Sequence, residues 1–119
     1  QSTMDACGST GVIALIRDKR VYIAWCGDSE ACIVSTDPEV PPRRLVEPHK
    51  AGLQKERERV EALGGVVLGI NQPRLNGMLA VTRSFGDARF KRFVIPDPDI
   101  ISFELQGNED FMVRFSFIF

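Results

Sequence analysis

The chain has 119 residues, of which 44% are hydrophobic and 26% are charged, and its formal net charge is −1. This composition predicts one small globular domain and argues against nucleic acid or an anionic membrane surface as the main partner. The apolar runs are too short to cross a bilayer, and the first residues lack the basic start and apolar core of a signal peptide. The sequence does not begin with Met, which is compatible with a piece of a longer protein.

The cysteines indicate a reduced protein. Cys7, Cys26 and Cys32 form no Cys-x-x-Cys pair, and three thiols cannot all be paired in disulfides. We therefore expect an intracellular setting, in the cytoplasm, the nucleus or both. A zinc site is not expected, because the only histidine, His49, is far from any cysteine in the sequence.

Apolar runs at residues 12–16, 21–26 and 31–35 predict three β-strands. Their connections are too short for parallel crossovers, which favours an antiparallel meander. The second and third runs are apolar at nearly every position, so we interpret residues 21–34 as a hairpin that is covered on both faces. Its Gly-Asp-Ser corner would then hold the carboxylate of Asp28 at the end of a buried hairpin.

Residues 53–63 predict a surface helix, because Gln, Lys, Glu and Arg dominate this segment. Its apolar residues form only a narrow stripe: Leu53, Val60 and Leu63. Arg57 and Glu61 have the i,i+4 spacing of an ion pair, and the glycines at positions 64 and 65 signal the end of the helix.

The remaining segments are shorter or ambiguous. Short strands are predicted at 43–46 and 66–68 and a longer one at 100–105, whereas residues 78–84 stay open between helix and strand. The segment 111–119 contains four phenylalanines and a single charge. This composition is typical of an aggregating strand edge, so we expect the isolated chain to self-associate.

Six stretches, in order along the chain, resemble motifs of the protein phosphatase 2C family. They are Gly-Ser-Thr-Gly-Val at 8–12, Ala-Trp-Cys-Gly-Asp-Ser at 24–29, Pro-His-Lys at 48–50, Glu-Arg-Glu-Arg-Val-Glu-Ala-Leu-Gly-Gly at 56–65, Arg-Leu-Asn-Gly-Met-Leu-Ala-Val-Thr-Arg-Ser-Phe-Gly-Asp at 74–87, and Pro-Asp-Pro-Asp-Ile at 96–100. The stretch at 74–87 is the most specific of them. The resemblance covers about residues 8–105 and implies an α+β fold. In the family this fold is an α/β/β/α sandwich of two antiparallel sheets with helices outside, of which residues 1–119 form a single, incomplete domain.

The resemblance also implies a function. Members of this family are metal-dependent enzymes that hydrolyse phosphoserine and phosphothreonine in proteins. Two Mn²⁺ or Mg²⁺ ions hold a water molecule that attacks the phosphorus, because a metal-bound water is a nucleophile at neutral pH. Hard cations of this kind require oxygen ligands, chiefly carboxylates.

The chain departs from the family pattern at several points. The Asp-Gly-His-Gly-Gly, Ser-Asp-Gly-x-Trp-Asp and Asp-Asn motifs, which supply most metal ligands, are not in this sequence. Of the metal carboxylates only Asp28 is matched, at a position that serves an accessory ion, and Glu30 stands where the family has arginine. A catalytically inactive truncated form or pseudophosphatase, acting as an interaction module, is therefore the alternative hypothesis.

Individual candidates have competing interpretations. Asp28 is either a metal ligand or a turn-forming residue whose side chain binds nearby backbone N–H groups. His49 is expected to be a solvent-exposed loop histidine, because its loop offers no carboxylate partner beyond Glu47. Arg74 is a substrate-side candidate, against the alternative of a salt-bridged surface arginine. Trp25 is expected in the core, and Asp87 as a cap or turn residue.

Overall fold

The computed structural model describes residues 7–107 and the backbone of residues 111–115. In chain order its elements are β1 (Gly8–Ser9), β2 (Gly11–Arg17), β3 (Arg20–Cys26), β4 (Glu30–Val34), β5 (Arg43–Arg44), α1 (Gln54–Ala62), β6 (Val67–Leu68), β7 (Arg74–Leu75), β8 (Phe85–Gly86), a 3-10 helix (Ala88–Phe90), β9 (Asp99–Glu104) and β10 (Phe111–Phe115). Neither helix among the described residues is long and apolar enough to cross a membrane.

Two three-stranded antiparallel sheets form the main body. The first has the order β2-β3-β9, and the second has the order β10-β4-β5. Side chains from both sheets share one buried cluster, to which β3 contributes Val21, Ile23 and Trp25 and β4 contributes Ala31 and Ile33. The predicted α+β architecture with two packed antiparallel sheets is therefore confirmed.

The predicted hairpin at residues 21–34 is wrong. Strand β3 pairs with β2 and β9, whereas β4 pairs with β10 and β5, so the Gly-Asp-Ser corner leads from one sheet to the other. Gly27 makes this corner possible, because its φ of +97° is a conformation that side chains with a Cβ rarely adopt. A Cβ on Gly27 would also lie 2.2 Å from Thr10 Cγ2. Of the predicted meander, only the β2–β3 hairpin is confirmed.

The cover expected on both faces of residues 21–34 is incomplete on β3, where Tyr22 is exposed. Alternate residues of β2, β3 and β9 point away from the shared core, and their apolar members are exposed: Ile13 (68%), Leu15 (60%), Tyr22 (41%) and Ile100 (66%). Within the described ranges, α1 packs elsewhere, in a second cluster with Val67, Leu75 and Val94. This exposed apolar sheet face consequently has no cover from the helix.

The helix forms close to where the sequence predicts it. α1 spans Gln54–Ala62, inside the predicted 53–63, and Arg57 Nε lies 2.8 Å from Glu61 Oε1 as the spacing indicates. Val60 is fully buried, whereas Leu63 is 41% exposed. Gly64 then ends the helix with a φ of +86°.

The shorter predicted elements are found with small shifts. The strand predicted at 66–68 is Val67–Leu68, and the one at 43–46 is reduced to Arg43–Arg44. Residues 78–84 form neither a helix nor a continuous strand and contribute only isolated bridges. Of the predicted segment 111–119, the first five residues form β10, and the rest lies outside the described residues.

Candidate functional site

The corner between the two sheets presents the one carboxylate singled out by the sequence. Asp28 is only 6% exposed, and its side chain makes no hydrogen bond or ion pair with any residue that the structure describes. Its carboxylate oxygens are not among the fully buried atoms that lack a partner, of which Arg59 Nε is the one found in the described residues, so they keep contact with solvent. The backbone hydrogen bonds of an Asx turn are therefore not formed there. The next residue, Ser29, forms a hydrogen bond with Thr10, which lies between β1 and β2. The Ser29 Oγ and Thr10 Oγ1 atoms are 2.8 Å apart.

The prediction that His49 is an exposed loop residue is wrong. His49 is fully buried and stacks on Trp25, with ring centroids 5.8 Å apart and planes 9° from parallel. Its Nδ1 accepts a hydrogen bond from the Gly27 N–H at 3.1 Å, and its Nε2 lies 3.1 Å from Asp99 Oδ2. The missing carboxylate partner thus exists, 50 residues further along the chain, where no local sequence signal reveals it.

These contacts define the state of the His49 ring. Because a backbone N–H can only donate, Nδ1 carries no proton, and Nε2–H donates to the Asp99 carboxylate. Burial lowers the pKa of His49, although the hydrogen bond with Asp99 opposes this shift. The imidazole is therefore neutral at physiological pH and held in one tautomer.

A second buried carboxylate, Glu56, was not identified from the sequence. It lies on α1 and is 1% exposed. Its carboxylate accepts hydrogen bonds from Arg83 Nη2 at 2.6 Å, Thr82 Oγ1 at 2.8 Å and Arg59 Nη2 at 3.1 Å. Burial by itself raises the pKa of Glu56, but the hydrogen bonds from Arg83, Thr82 and Arg59 outweigh it and lower the pKa to about 2. The available signals were its place as the first residue of the motif at 56–65 and its spacing of one helical turn from the apolar Val60.

Asp99 connects the two parts of this network. It accepts from Lys55 Nζ at 2.8 Å and, through its other oxygen, from Arg83 Nη1 at 3.0 Å, in addition to the His49 contact. Burial raises the pKa of Asp99, but the hydrogen bonds from Lys55 and His49 and the charge of Arg83 hold it well below its usual range. The chain of contacts from Glu56 through Arg83 and Asp99 to His49 is called the buried polar network below.

The sequence also singled out Arg74, Trp25, Asp87 and Glu30. Arg74 is exposed on β7 and its Nη1 donates to Met78 O at 2.9 Å, and within residues 7–107 it forms no salt bridge. Trp25 is 5% exposed, which confirms the core prediction. Asp87 has a φ of +50°, precedes the 3-10 helix and accepts a hydrogen bond from Ser84 Oγ at 2.5 Å, which confirms a turn role. Glu30 pairs with Arg44 at 3.0 Å.

The described residues meet the requirements of a metal centre only in part. No group of three or more His, Cys, Asp or Glu side chains among them is arranged to hold a cation. Glu56 and Asp99 are already engaged by basic side chains, so these residues do not by themselves fit a pair of ions. Asp28 does fit one role, since Mg²⁺ retains several waters and is often bound by one or two carboxylates.

Comparisons with known proteins agree on one family. A sequence model described as Protein phosphatase 2C matches residues 1–115. Protein phosphatase 1E of Mus musculus is 40% identical over 107 residues, and Protein phosphatase 1F of Mus musculus is 43% identical over 106 residues. These alignments cover 90% and 89% of this chain but only 14% and 23% of the two relatives. The chain therefore spans a small part of the curated relatives it matches.

Solved structures give the same result for the fold. A sex determining protein of C. elegans superimposes with a TM-score of 0.82 at 28% identity, over 90% of this chain and 26% of that one. A serine-threonine phosphatase 2C from Toxoplasma gondii superimposes with a TM-score of 0.79 at 22% identity, over 91% of this chain and 40% of that one. The second similarity supports the fold alone.

Proposed function

Because this chain belongs to the protein phosphatase 2C family, we propose that the protein it represents hydrolyses phosphoserine and phosphothreonine in other proteins. The observation that carries the proposal is the family match over residues 1–115. The phosphatase names of relatives about 40% identical to this chain support it. The substrates would be phosphoproteins, and the setting would be cytoplasmic or nuclear, in keeping with three cysteines that form no disulfide.

We propose Mn²⁺ or Mg²⁺ as the cofactor, with Asp28 as one carboxylate ligand. When bound, such ions supply an activated water and neutralise phosphoryl charge. The support from this chain is the burial of Asp28 together with its lack of a side-chain partner among the described residues. Further carboxylates, from outside these residues, are needed to complete a two-ion centre.

The other described residues would serve as scaffold and substrate contact. The buried polar network fixes the position of the corner and of β9 relative to α1. Arg74 is our substrate-side candidate, because its exposed guanidinium has N–H donors beyond the one that binds Met78 O, and arginine suits phosphate recognition.

An inactive interaction module is the second candidate. It is favoured by the single unengaged buried carboxylate, Asp28, in the described part of the chain, and by Glu30 at a position where the family carries arginine. Such a module would bind phosphoproteins or a partner without hydrolysis.

One comparison separates the two candidates. The 119-residue chain and a longer protein, in which segments with the family's Asp-Gly-His and Ser-Asp-Gly motifs are added before and after it, are each incubated with p-nitrophenyl phosphate and Mn²⁺. We expect turnover from the longer protein and none from the 119-residue chain, because one carboxylate cannot hold the required ions. A longer protein without turnover on this substrate and on a phosphoserine peptide would favour the interaction module.

A further inference from the structure

The corner that carries Asp28 is held by one residue from another part of the chain. The His49 N–H donates to Gly27 O at 2.9 Å, and His49 Nδ1 accepts from the Gly27 N–H at 3.1 Å. Both backbone polar groups of Gly27 therefore bind His49. Asp28 follows directly, and its side chain has no partner among the described residues, so its direction depends on the backbone at Gly27.

The ring that forms this clamp is itself fixed on two sides. Trp25 stacks on one face of the imidazole, and Asp99 accepts from Nε2. Asp99 is in turn held by Lys55 and Arg83. The imidazole consequently has one orientation, in which Nδ1 faces the corner.

The opposite side of the corner is closed by packing. The position of a Cβ on Gly27 lies 2.2 Å from Thr10 Cγ2 and 3.0 Å from Arg83 O, so a larger residue there would force Thr10 or the corner to shift. On the C-terminal side of Asp28, Ser29 forms a hydrogen bond with Thr10, with Ser29 Oγ and Thr10 Oγ1 2.8 Å apart. The corner is thus held on both sides of Asp28.

We propose that His49 is a positioning residue, which fixes the backbone of Gly27 so that the Asp28 carboxylate is directed toward a divalent cation. This inference rests on the proposed role of Asp28. A histidine that only filled the core would need its stacking on Trp25 but not the acceptor at Nδ1. The two roles therefore differ in which atom of the side chain has to be preserved.

Terbium luminescence provides a readout that does not depend on phosphatase activity. Tb³⁺ is a hard cation that binds carboxylates, and its emission is sensitised by a nearby indole. The chain has one tryptophan, Trp25, three positions before Asp28. We expect Tb³⁺ emission from the 119-residue chain that Mn²⁺ or Mg²⁺ reduces by competition and that Asp28→Asn abolishes.

A matched pair of variants then separates positioning from packing. In His49→Asn the amide can place its oxygen where Nδ1 lies, whereas the longer side chain of His49→Gln reaches the position of Nε2. We expect His49→Gln to raise the Tb³⁺ concentration at half-maximal emission about tenfold, the usual size of an outer-shell effect on metal affinity. His49→Asn should stay close to the unsubstituted chain. The midpoint is compared, since the emission intensity also depends on the surroundings of Trp25.

Each result decides the inference. Equal midpoints for both variants and the unsubstituted chain would overturn the positioning role of His49 and leave the role of Asp28 intact. Emission from the unsubstituted chain that does not depend on Asp28 would overturn both. If neither variant folds, the ¹⁵N shifts of His49 in the unsubstituted chain decide: we expect a bare Nδ1 and a protonated Nε2, and the reverse tautomer would overturn the clamp.

Discussion

Arg83 Nη2 lies 2.6 Å from Glu56 Oε1, so a guanidinium from the loop before β8 neutralises a carboxylate buried on helix α1. The same guanidinium reaches Asp99 on β9 through Nη1 at 3.0 Å. Arg83 therefore joins three elements that are far apart in the sequence. The other side chains of the buried polar network are arranged around this pair.

Replacing Arg83 by methionine should destabilise the fold strongly. The substitution leaves the carboxylate of Glu56 buried with a single arginine partner, Arg59, and breaking a buried pair in this way costs about 3–5 kcal/mol. We expect a urea unfolding midpoint that falls accordingly. Arg57→Met is the matched control, because its pair with Glu61 is largely exposed and such pairs contribute at most about 1 kcal/mol. Equal losses for the two variants would contradict the assignment.

Stability should fall in two stages as the pH is lowered. The pKa of His49 is below its ordinary value of 6.5 in the folded state, so below pH 6.5 the unfolded chain binds more protons and folding weakens. The pKa of Glu56 is lowered from 4.5 to about 2, so its contribution is present above pH 4.5 and is lost as the pH falls toward 2. Asp99 adds to this second loss.

Urea unfolding between pH 8 and pH 3 measures both stages. His49→Asn should remove the upper stage and keep the lower one, because asparagine does not titrate. A stability that stays constant from pH 8 to the range where carboxylates protonate would contradict the buried, neutral state of His49.

Gly27→Ala should cost more than backbone strain alone. Gly27 and Gly107 have similar φ values of +97° and +91°, but only at Gly27 would a Cβ meet another side chain, 2.2 Å from Thr10 Cγ2. We expect a loss of about 1 kcal/mol for Gly107→Ala, from strain in the left-handed region. Gly27→Ala should lose clearly more in the same denaturation experiment. Similar losses would show that the corner can relax.

The exposed apolar sheet face should cause the isolated chain to associate. Ile13 and Leu15 on β2 are 68% and 60% exposed, and apolar area of this kind is normally covered by more chain or by a partner. We expect sedimentation faster than a monomer and binding of hydrophobic dyes, both reduced by Ile13→Lys with Leu15→Lys. Ile70→Lys is the control, since Ile70 is 96% exposed outside this face. A compact monomer with a cooperative melt would contradict this expectation.

What the sequence could predict was local. The helix at Gln54–Ala62 and the β2–β3 hairpin follow from residue preferences and short connections, and both are found. The path after Gly27 could not be predicted, because the same Gly-Asp-Ser residues suit a hairpin and a corner between sheets. The choice depends on β10, which pairs with β4 from 77 to 85 positions away.

The burial and the partners of the site residues could not be predicted from local sequence patterns either. His49 is buried because Asp99 and Trp25 enclose it, and Glu56 is buried because Arg83 and Thr82 neutralise and bind it. A charged residue on a polar helix predicts exposure unless its distant partners are known. The motif residues were found from the sequence, but the contacts that position them were not.

The most direct test of the account is a Mn²⁺ titration of the longer protein, with and without Asp28→Asn. Hydrolysis of a phosphoserine peptide is followed as Mn²⁺ is increased, and the melting temperature is measured in parallel. We predict that the substitution raises the Mn²⁺ concentration at half-maximal activity at least about tenfold, while the melting temperature changes little, because the exchange keeps the size of the side chain and removes its charge. An unchanged titration with a sharply lower melting temperature would contradict the account and assign Asp28 to the turn alone.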